Sequence, residues 1–362
     1  MLALRAAGIP PAWADPAFGG RQRCELVLPR ENGVCVIIAA MNAATTIQSA
    51  VRSALREPEV SEIVVVDDGS SDDTAGAAIG ADDGSGRLRI VRLEQNRGPS
   101  FARNKAIAVS SAPLISILDA DDFFIEGRFR HLLAGSGWDF IADNIVFVDE
   151  GRAEPTEEEI ARFPNEPFHL DLSGFVDGNI SRRGADRGEI GFLKPVMRRS
   201  FLEAHQLTYR EDMRLGEDYD LYARALAKGA RYMVIHHCGY GATVRGNSLS
   251  GRHRTEDLKS LYEADQALLA SADLPPRAAA ALRQHEQHIR AKYELRRFLD
   301  VRSNTGLVSA MVHALQNPQA LPSIVTGVAS DKLAALRASR PPVSAESGSL
   351  RYLLQPGQNT QK

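Results

Sequence analysis

Residues 63–74 read Ile63-Val-Val-Val-Asp-Asp-Gly-Ser-Ser-Asp-Asp-Thr74, an unbroken apolar run that stops abruptly at carboxylates, a glycine and serines. Consecutive β-branched residues with no polar alternation predict a strand covered on both faces, as in a parallel sheet. The same pattern recurs on either side. Val34-Cys-Val-Ile-Ile-Ala39 predicts a strand upstream, and Leu88–Leu93 and Leu114–Leu118 predict two more downstream. The last of these ends in Asp119-Ala-Asp-Asp122. Ile47, Ala50, Val51, Ala54 and Leu55 share one helical face behind a capping Thr45 or Thr46. Phe101–Val109 predicts a second helix, opened by Gly98-Pro-Ser100 with Pro99 suited to a first turn. Strand and helix alternating at this spacing predict an α/β fold with a doubly wound, mostly parallel sheet of Rossmann-like type.

Beyond Asp122 the alternation loosens. A helix is expected near 127–133 and a strand near 140–148, while 150–188 shows little period and reads as an active-site loop region with short elements. Helices follow at 201–205 and 218–228, with a last strand at 231–235. From Thr255 the chain turns helical: Leu258, Leu261, Tyr262, Ala264, Leu268 and Leu269 recur at three- and four-residue spacings, with Asp265 the one polar residue on that stripe. A further helix is expected over 276–301. The domain reading is a lead-in over 1–32, an α/β domain over 33–253, a helical C-terminal extension over 254–340 and a disordered tail over 341–362.

Composition narrows the function. Forty-three Lys and Arg against 46 Asp and Glu give a net charge of −3 over 362 residues, so no general basic field gathers nucleic acid. Cys24, Cys35 and Cys238 are too few for a disulfide framework and fit a reducing compartment. The apolar run Val34–Met41 is far short of the ~20 residues of a membrane span. Pro10, Pro11 and Pro16 interrupt any signal-peptide core. The expectation is a cytoplasmic enzyme.

Ligands of open α/β sheets bind beyond the carboxyl ends of the strands. Asp67-Asp68 and Asp119-Ala120-Asp121 fall at two such ends. Carboxylates gathered there repel one another unless something positive lies among them. A divalent cation, Mg²⁺ or Mn²⁺, is the natural answer for hard oxygen ligands, and Mg²⁺ usually bridges to phosphate. Other phosphate-binding designs are absent: no GxxxxGK[ST] occurs, and no GxGxxG follows a strand. Asp82-Asp-Gly-Ser-Gly-Arg87 precedes a strand and reads as a connecting turn.

Val34–Asn42, Val64–Thr74, Asn96-Arg-Gly-Pro-Ser-Phe-Ala-Arg-Asn104 and Ile117-Leu-Asp-Ala-Asp-Asp122 resemble, in order, the signatures of family 2 glycosyltransferases. The resemblance spans residues 33–240. It implies the GT-A fold, a nucleotide-sugar donor and inversion at the sugar's anomeric carbon. Within that family the chain is most similar to glucosyltransferases that build exopolysaccharides such as succinoglycan. That implies transfer of a hexose, glucose, from a UDP-sugar to an oligosaccharide or lipid-linked acceptor.

Carried over residue by residue, the resemblance implies that Ala39, Ala40, Asn42, Asp67, Asp68, Arg97, Arg103, Asn104, Asp119 and Ala120 frame the nucleotide, and that Asp121 faces the metal. One departure is visible. Ala39-Ala-Met-Asn42 stands where the family often has Pro-Thr-Tyr-Asn, so a Tyr that would stack near the uracil is missing. Gly216-Glu-Asp218 matches the family's Glu-Asp pair, which implies that Asp218 is the general base and Glu217 a neighbour shaping the acceptor pocket. Read from residues alone, the same pair is an acidic first turn of a helix. His237 and Arg245 are candidate contacts of the donor phosphates. Six Arg and Lys from Arg283 to Arg302, against Glu286, Glu294 and Asp300, give the second C-terminal helix a basic side. That side is either solvated or in peripheral contact with anionic lipid at the inner membrane face.

Two other readings fit the composition less well. A sugar-phosphate nucleotidyltransferase needs a glycine-rich basic loop after the first strand, where Ala39–Ala44 has neither glycine nor charge. A non-catalytic module that binds nucleotide sugar or polysaccharide would have no use for the intact Asp121 and Asp218.

Overall fold

The four apolar runs form the parallel half of one sheet. β1 (Val34–Ala40), β2 (Val60–Asp67), β3 (Leu88–Arg92) and β4 (Leu114–Ile117) lie in the order β3-β2-β1-β4, each pair parallel. Val34 to Ile38 have no exposed surface, which is why this stretch carries no polar alternation. α1 (Ile47–Leu55) and α3 (Pro99–Val109) occupy their expected places, with Pro99 in the first turn. α2 (Thr74–Ile79) was hidden in the acidic stretch; Asp73 caps it by accepting from the Gly76 N–H. In this computed structural model the described residues are 33–355, apart from 157, 161–162, 164–165, 181–188, 245–253, 272, 323 and 328–349.

The second half of the sheet is mixed. β5 (Phe123–Phe124), α4 (Arg128–Leu132) and β6 (Phe140–Asp149) follow β4; then β7 (Phe168–Leu170) and α5 (Leu172–Asp177) bring the expected short elements to the 150–188 region. β8 (Val196–Arg198), α6 (Arg199–Ala204), α7 (Glu217–Ala227) and β9 (Tyr232–Val244) complete the domain. The sheet continues β4-β8-β6-β9-β5, with β6 and β9 parallel and the other pairs antiparallel. β9 is far longer than the expected 231–235. Its register against β6 slips between Ala142 and Ile145, so His236 and His237 sit where the ladder is interrupted. That irregularity breaks the period a sequence reading needs.

A buried ion pair crosses this half. Arg128 and Asp143 have no side-chain exposure; Arg128 donates from Nε and Nη2 to Asp143, and from Nη2 to the Lys194 carbonyl at 2.6 Å. The helical extension comprises α8 (Thr255–Ser271), α9 (Pro276–Thr305) and α10 (Leu307–Gln316). Asp265, the lone polar residue of the α8 stripe, accepts from the Tyr219 hydroxyl at 2.9 Å and lies 2.6 Å from His285 Nδ1. The three side chains tie α7, α8 and α9 together.

One expectation is corrected at the end of the chain. The residues 350–355 belong to no disordered tail: β10 (Arg351–Tyr352) pairs with β6, and Leu353 and Leu354 are buried. Asn144 receives the Leu354 N–H and donates to its carbonyl. The apolar content of Leu350–Leu354 is what docks it. The lead-in over 1–32 and the rest of the tail lie outside the described residues.

Candidate active site

The motif after β2 is largely a self-bonded knot. Asp67 Oδ1 accepts from the Ser70 N–H, and Thr74 Oγ1 accepts from the Ala43 N–H. Asn42, at φ 51°, donates its N–H to Ser70 Oγ and accepts at Oδ1 from the Ser71 N–H. Gly69 is required here: its φ is +70°, and a Cβ would stand 2.6 Å from the Asn96 nitrogen. Asp68 accepts from the N–H groups of Arg97 and Gly98 at 2.7 and 2.8 Å, which fastens the loop before α3 onto the end of β2.

Asn42 and Asp68 thus bond the protein's own backbone, and Asn104 accepts from the Tyr209 N–H and donates to its carbonyl and to Glu211. Asp67 retains Oδ2 with only Arg92 Nε at 3.5 Å. A cavity of about 430 Å³ lined by Gly69, Ser70, Arg92, Leu93 and Glu94 opens beside it. Arg97 is exposed and lays its guanidinium 3.9 Å over the Phe101 ring. Ala39 and Ala40 end β1, and Met41, in place of an aromatic residue, is 50% exposed.

Beyond β4 the chain turns at Asp119-Ala120-Asp121-Asp122. Asp122 anchors the turn: it accepts from the Tyr240 hydroxyl at 2.7 Å and the Thr243 N–H at 2.9 Å. Burial, joined by the charges of Asp119 and Asp121, lifts its carboxyl well above the usual range. The Asp119 N–H donates to the same tyrosine oxygen. Ala120 is buried and Asp121 half-buried.

The centre of the site is a cluster of five charged groups. Arg103, from α3, reaches Glu217 at 2.6 Å, Asp218 at 3.3 Å and Asp119 at 3.0 Å. Lys194 lies 2.9 Å from Asp119 and 2.8 Å from Asp218. Both cations are buried. Burial alone would push each down, but the surrounding carboxylates hold both above their ordinary values. Burial likewise works against the charged form of Asp119, yet Lys194 and Arg103 hold its carboxyl well below the usual range. Glu217 is raised by burial, against the pull of Arg103. It lies deeper than Asp218, which is half-buried in the first turn of α7. Gly216 permits the approach: its φ is +82°, and a Cβ would meet Leu261 at 2.9 Å.

Within this cluster Asp119, Glu217 and Asp218 are balanced by a lysine and an arginine of the chain itself. Arg103, implied as a nucleotide contact, lies in this cluster against Asp119, Glu217 and Asp218. Lys194 was missed, although a signal existed: it is the one charged residue in the apolar run Ile190–Val196. His237 is not brought to the cluster; its ring stacks on His131 of α4 with centroids 3.8 Å apart. Arg245 lies outside the described residues.

Among the described residues no group of three or more Asp, Glu, His or Cys side chains is assembled to hold a metal. Mg²⁺ is rarely caged by protein alone and is usually held by one or two carboxylates plus substrate phosphate. The hard oxygen donors of Asp121, on the turn beyond β4, suit an ion of that kind.

The family model described as "Glycosyl transferase family 2" matches residues 35–202. The chain is 59% identical over 325 residues to the succinoglycan biosynthesis protein ExoU of Rhizobium meliloti (strain 1021), spanning 89% of this chain and 95% of that one. It is 35% identical to succinoglycan biosynthesis protein ExoO of the same organism, over 80% of this chain and 82% of that one. The crystal structure of S. aureus TarS 1–349 in complex with UDP-GlcNAc superposes with a TM-score of 0.56 at 20% identity, covering 80% of this chain and 79% of that one. At that identity the likeness shows the fold.

Proposed function

The chain belongs to glycosyltransferase family 2, and on that premise we propose that it transfers glucose from UDP-glucose, with inversion, to a lipid-linked oligosaccharide during assembly of a succinoglycan-type exopolysaccharide in the cytoplasm. The observation that carries the chemistry is the shared grip of Arg103 and Lys194 on Asp119 and Asp218. It sets a half-buried carboxylate of α7 beside the turn that follows β4. The extent of identity to ExoU supports the pathway; the acceptor and the hexose rest on the resemblance to exopolysaccharide glucosyltransferases.

Inversion is a single displacement. The acceptor hydroxyl attacks the anomeric carbon, Asp218 takes its proton, and the bond to the diphosphate breaks with its electron pair leaving on UDP. Lys194 and Arg103 fix the carboxylate of Asp218 in place, so its orientation is set before the acceptor arrives. Asp67 Oδ2 and the end of β1 at Ala39 and Ala40 border the space for the base, with Arg97 at the rim. Asp119 and the Ala120 backbone border the ribose. Asp121 would hold Mg²⁺ or Mn²⁺, which supplies charge neutralisation for the departing diphosphate when bound.

Incubation with UDP-glucose and a lipid-linked oligosaccharide should release UDP and give a β-linked product from the α-linked donor. An α-linked product, or UDP release from no nucleotide sugar, would overturn the reading; the latter outcome would favour a binding module.

A further inference from the structure

α10 distributes its side chains in the reverse of the pattern that a finished core requires. Its buried side carries small residues, Ala310 and Ala314, packed in a cluster with Phe298, Ala320 and Ile324. Its large apolar residues face outward: Leu307, Val308, Met311, Val312 and Leu315 are 57, 77, 55, 47 and 69% exposed. Spaced at i, i+1, i+4, i+5 and i+8, they occupy one arc of the helix. Val325, in the helical turn that follows, is also exposed. Six of the ten exposed large hydrophobics among the described residues thus fall within 307–325, which makes this a patch rather than scatter.

The exposed charges on the adjoining end of α9 are positive. α10 contains no Asp, Glu, Lys or Arg. α9, which packs against it through Phe298 and Val301, carries the exposed Arg297 and Arg302 in its last turns, with Glu294 half-buried and Asp300 accepting from the Thr255 hydroxyl. An uncharged apolar helix face with arginines on the adjoining helix is a composition that suits a membrane interface, the apolar side among the acyl chains and the cations at anionic headgroups. Ten residues span about 15 Å, half the hydrocarbon thickness, so this helix lies along the surface. No helix among the described residues is long and apolar enough to cross a membrane.

We propose that the Leu307–Leu315 face of α10 docks the protein on an anionic lipid bilayer. The inference deepens the reading of a lipid-linked acceptor, because a bound enzyme meets such an acceptor in two dimensions. It is tested without acceptor or donor, so the two stand or fall separately. The full chain is floated with phosphatidylglycerol–phosphatidylcholine vesicles and with phosphatidylcholine vesicles, beside the variant Val308→Asp/Met311→Asp/Leu315→Asp. The wild type should float with the anionic vesicles, several-fold less with the neutral ones, and less again in about 1 M salt, where charges are screened beyond ~3 Å. The variant should lose flotation while keeping the wild-type Tm.

Failure of the wild type to float, or undiminished flotation of the variant, overturns the proposal. A light-scattering mass that is double for the wild type and single for the variant would assign the face to a second copy. A drop in Tm of the variant would assign it to the chain's own residues. Either result also overturns it. Vesicle binding together with transfer only to soluble oligosaccharide would leave the docking face standing and remove the lipid-linked acceptor.

Discussion

Lys194 holds two carboxylates, Asp119 on the turn beyond β4 and Asp218 on α7, to which the proposed mechanism gives different parts. Its removal would leave three carboxylates around Arg103 alone. Lys194→Met should therefore lower kcat by about 10²-fold, the scale of a misplaced catalytic group, and lower Tm. Lys194→Arg, which restores charge in a bulkier shape, should recover part of the rate. Steady-state kinetics on both variants checks this; a rate unchanged in Lys194→Met would remove the residue from the positioning of Asp218. The polar residues that gather at these strand ends stand out in the sequence better than their partners do. Asp67, Asp68, Asn42 and Asn104 are legible as a set, because polar residues at strand ends stand out. Three of the four also bond backbone groups of loops far away in sequence. Those partners cannot be read from local spacing.

The parallel strands were legible because their burial on both faces writes uninterrupted apolar runs, as in Val34–Ile38 and Ile63–Val66. The mixed half was not. β8 is three residues long, β5 two, and the register slip in β9 erases its alternation. This half relies instead on the pair Arg128–Asp143, which no periodicity announces. Arg128→Ala leaves the Asp143 charge buried without its partner, and should cost about 3–5 kcal/mol of stability. It also releases the Lys194 carbonyl that Arg128 holds. Denaturant unfolding of this variant measures the cost; a change below 1 kcal/mol (on the order of an exposed pair) would contradict a structural role for the pair.

For the molecule as a whole, the extension of α8, α9 and α10 adds a pH response. Burial, reinforced by Lys292 and His285, pushes the His288 imidazole down to about 4. The unfolded chain takes up that proton near pH 6.5, so between about 6.5 and 4 it binds more protons than the folded chain. Stability should therefore fall as the pH drops through this window and level off below it. In His288→Gln this part of the decline should disappear, leaving the Tm difference from wild type constant above pH 7. Parallel thermal scans from pH 7.5 to 4.5 decide it (a window set by the imidazole's ordinary pKa of ~6.5), and identical pH slopes would contradict it. The helices of the extension were readable from their apolar stripes. Asp265 became intelligible only with Tyr219 and His285 around it, and β10 only once β6 offered an edge for Leu350–Leu354.

Transfer by the proposed mechanism depends on Asp218 taking the acceptor's proton. Asp218→Asn keeps the shape, keeps Asp119 and Asp121 in place, and removes the proton acceptor. Measured together on this variant, kcat for glucosyl transfer should fall by about 10²–10⁴-fold while the UDP-glucose Kd changes little. Asparagine caps helices nearly as well as aspartate, so a residue serving only the first turn of α7 would leave turnover near wild type. Turnover that survives in Asp218→Asn and is lost in Glu217→Gln would move the base to Glu217 and contradict the mechanism.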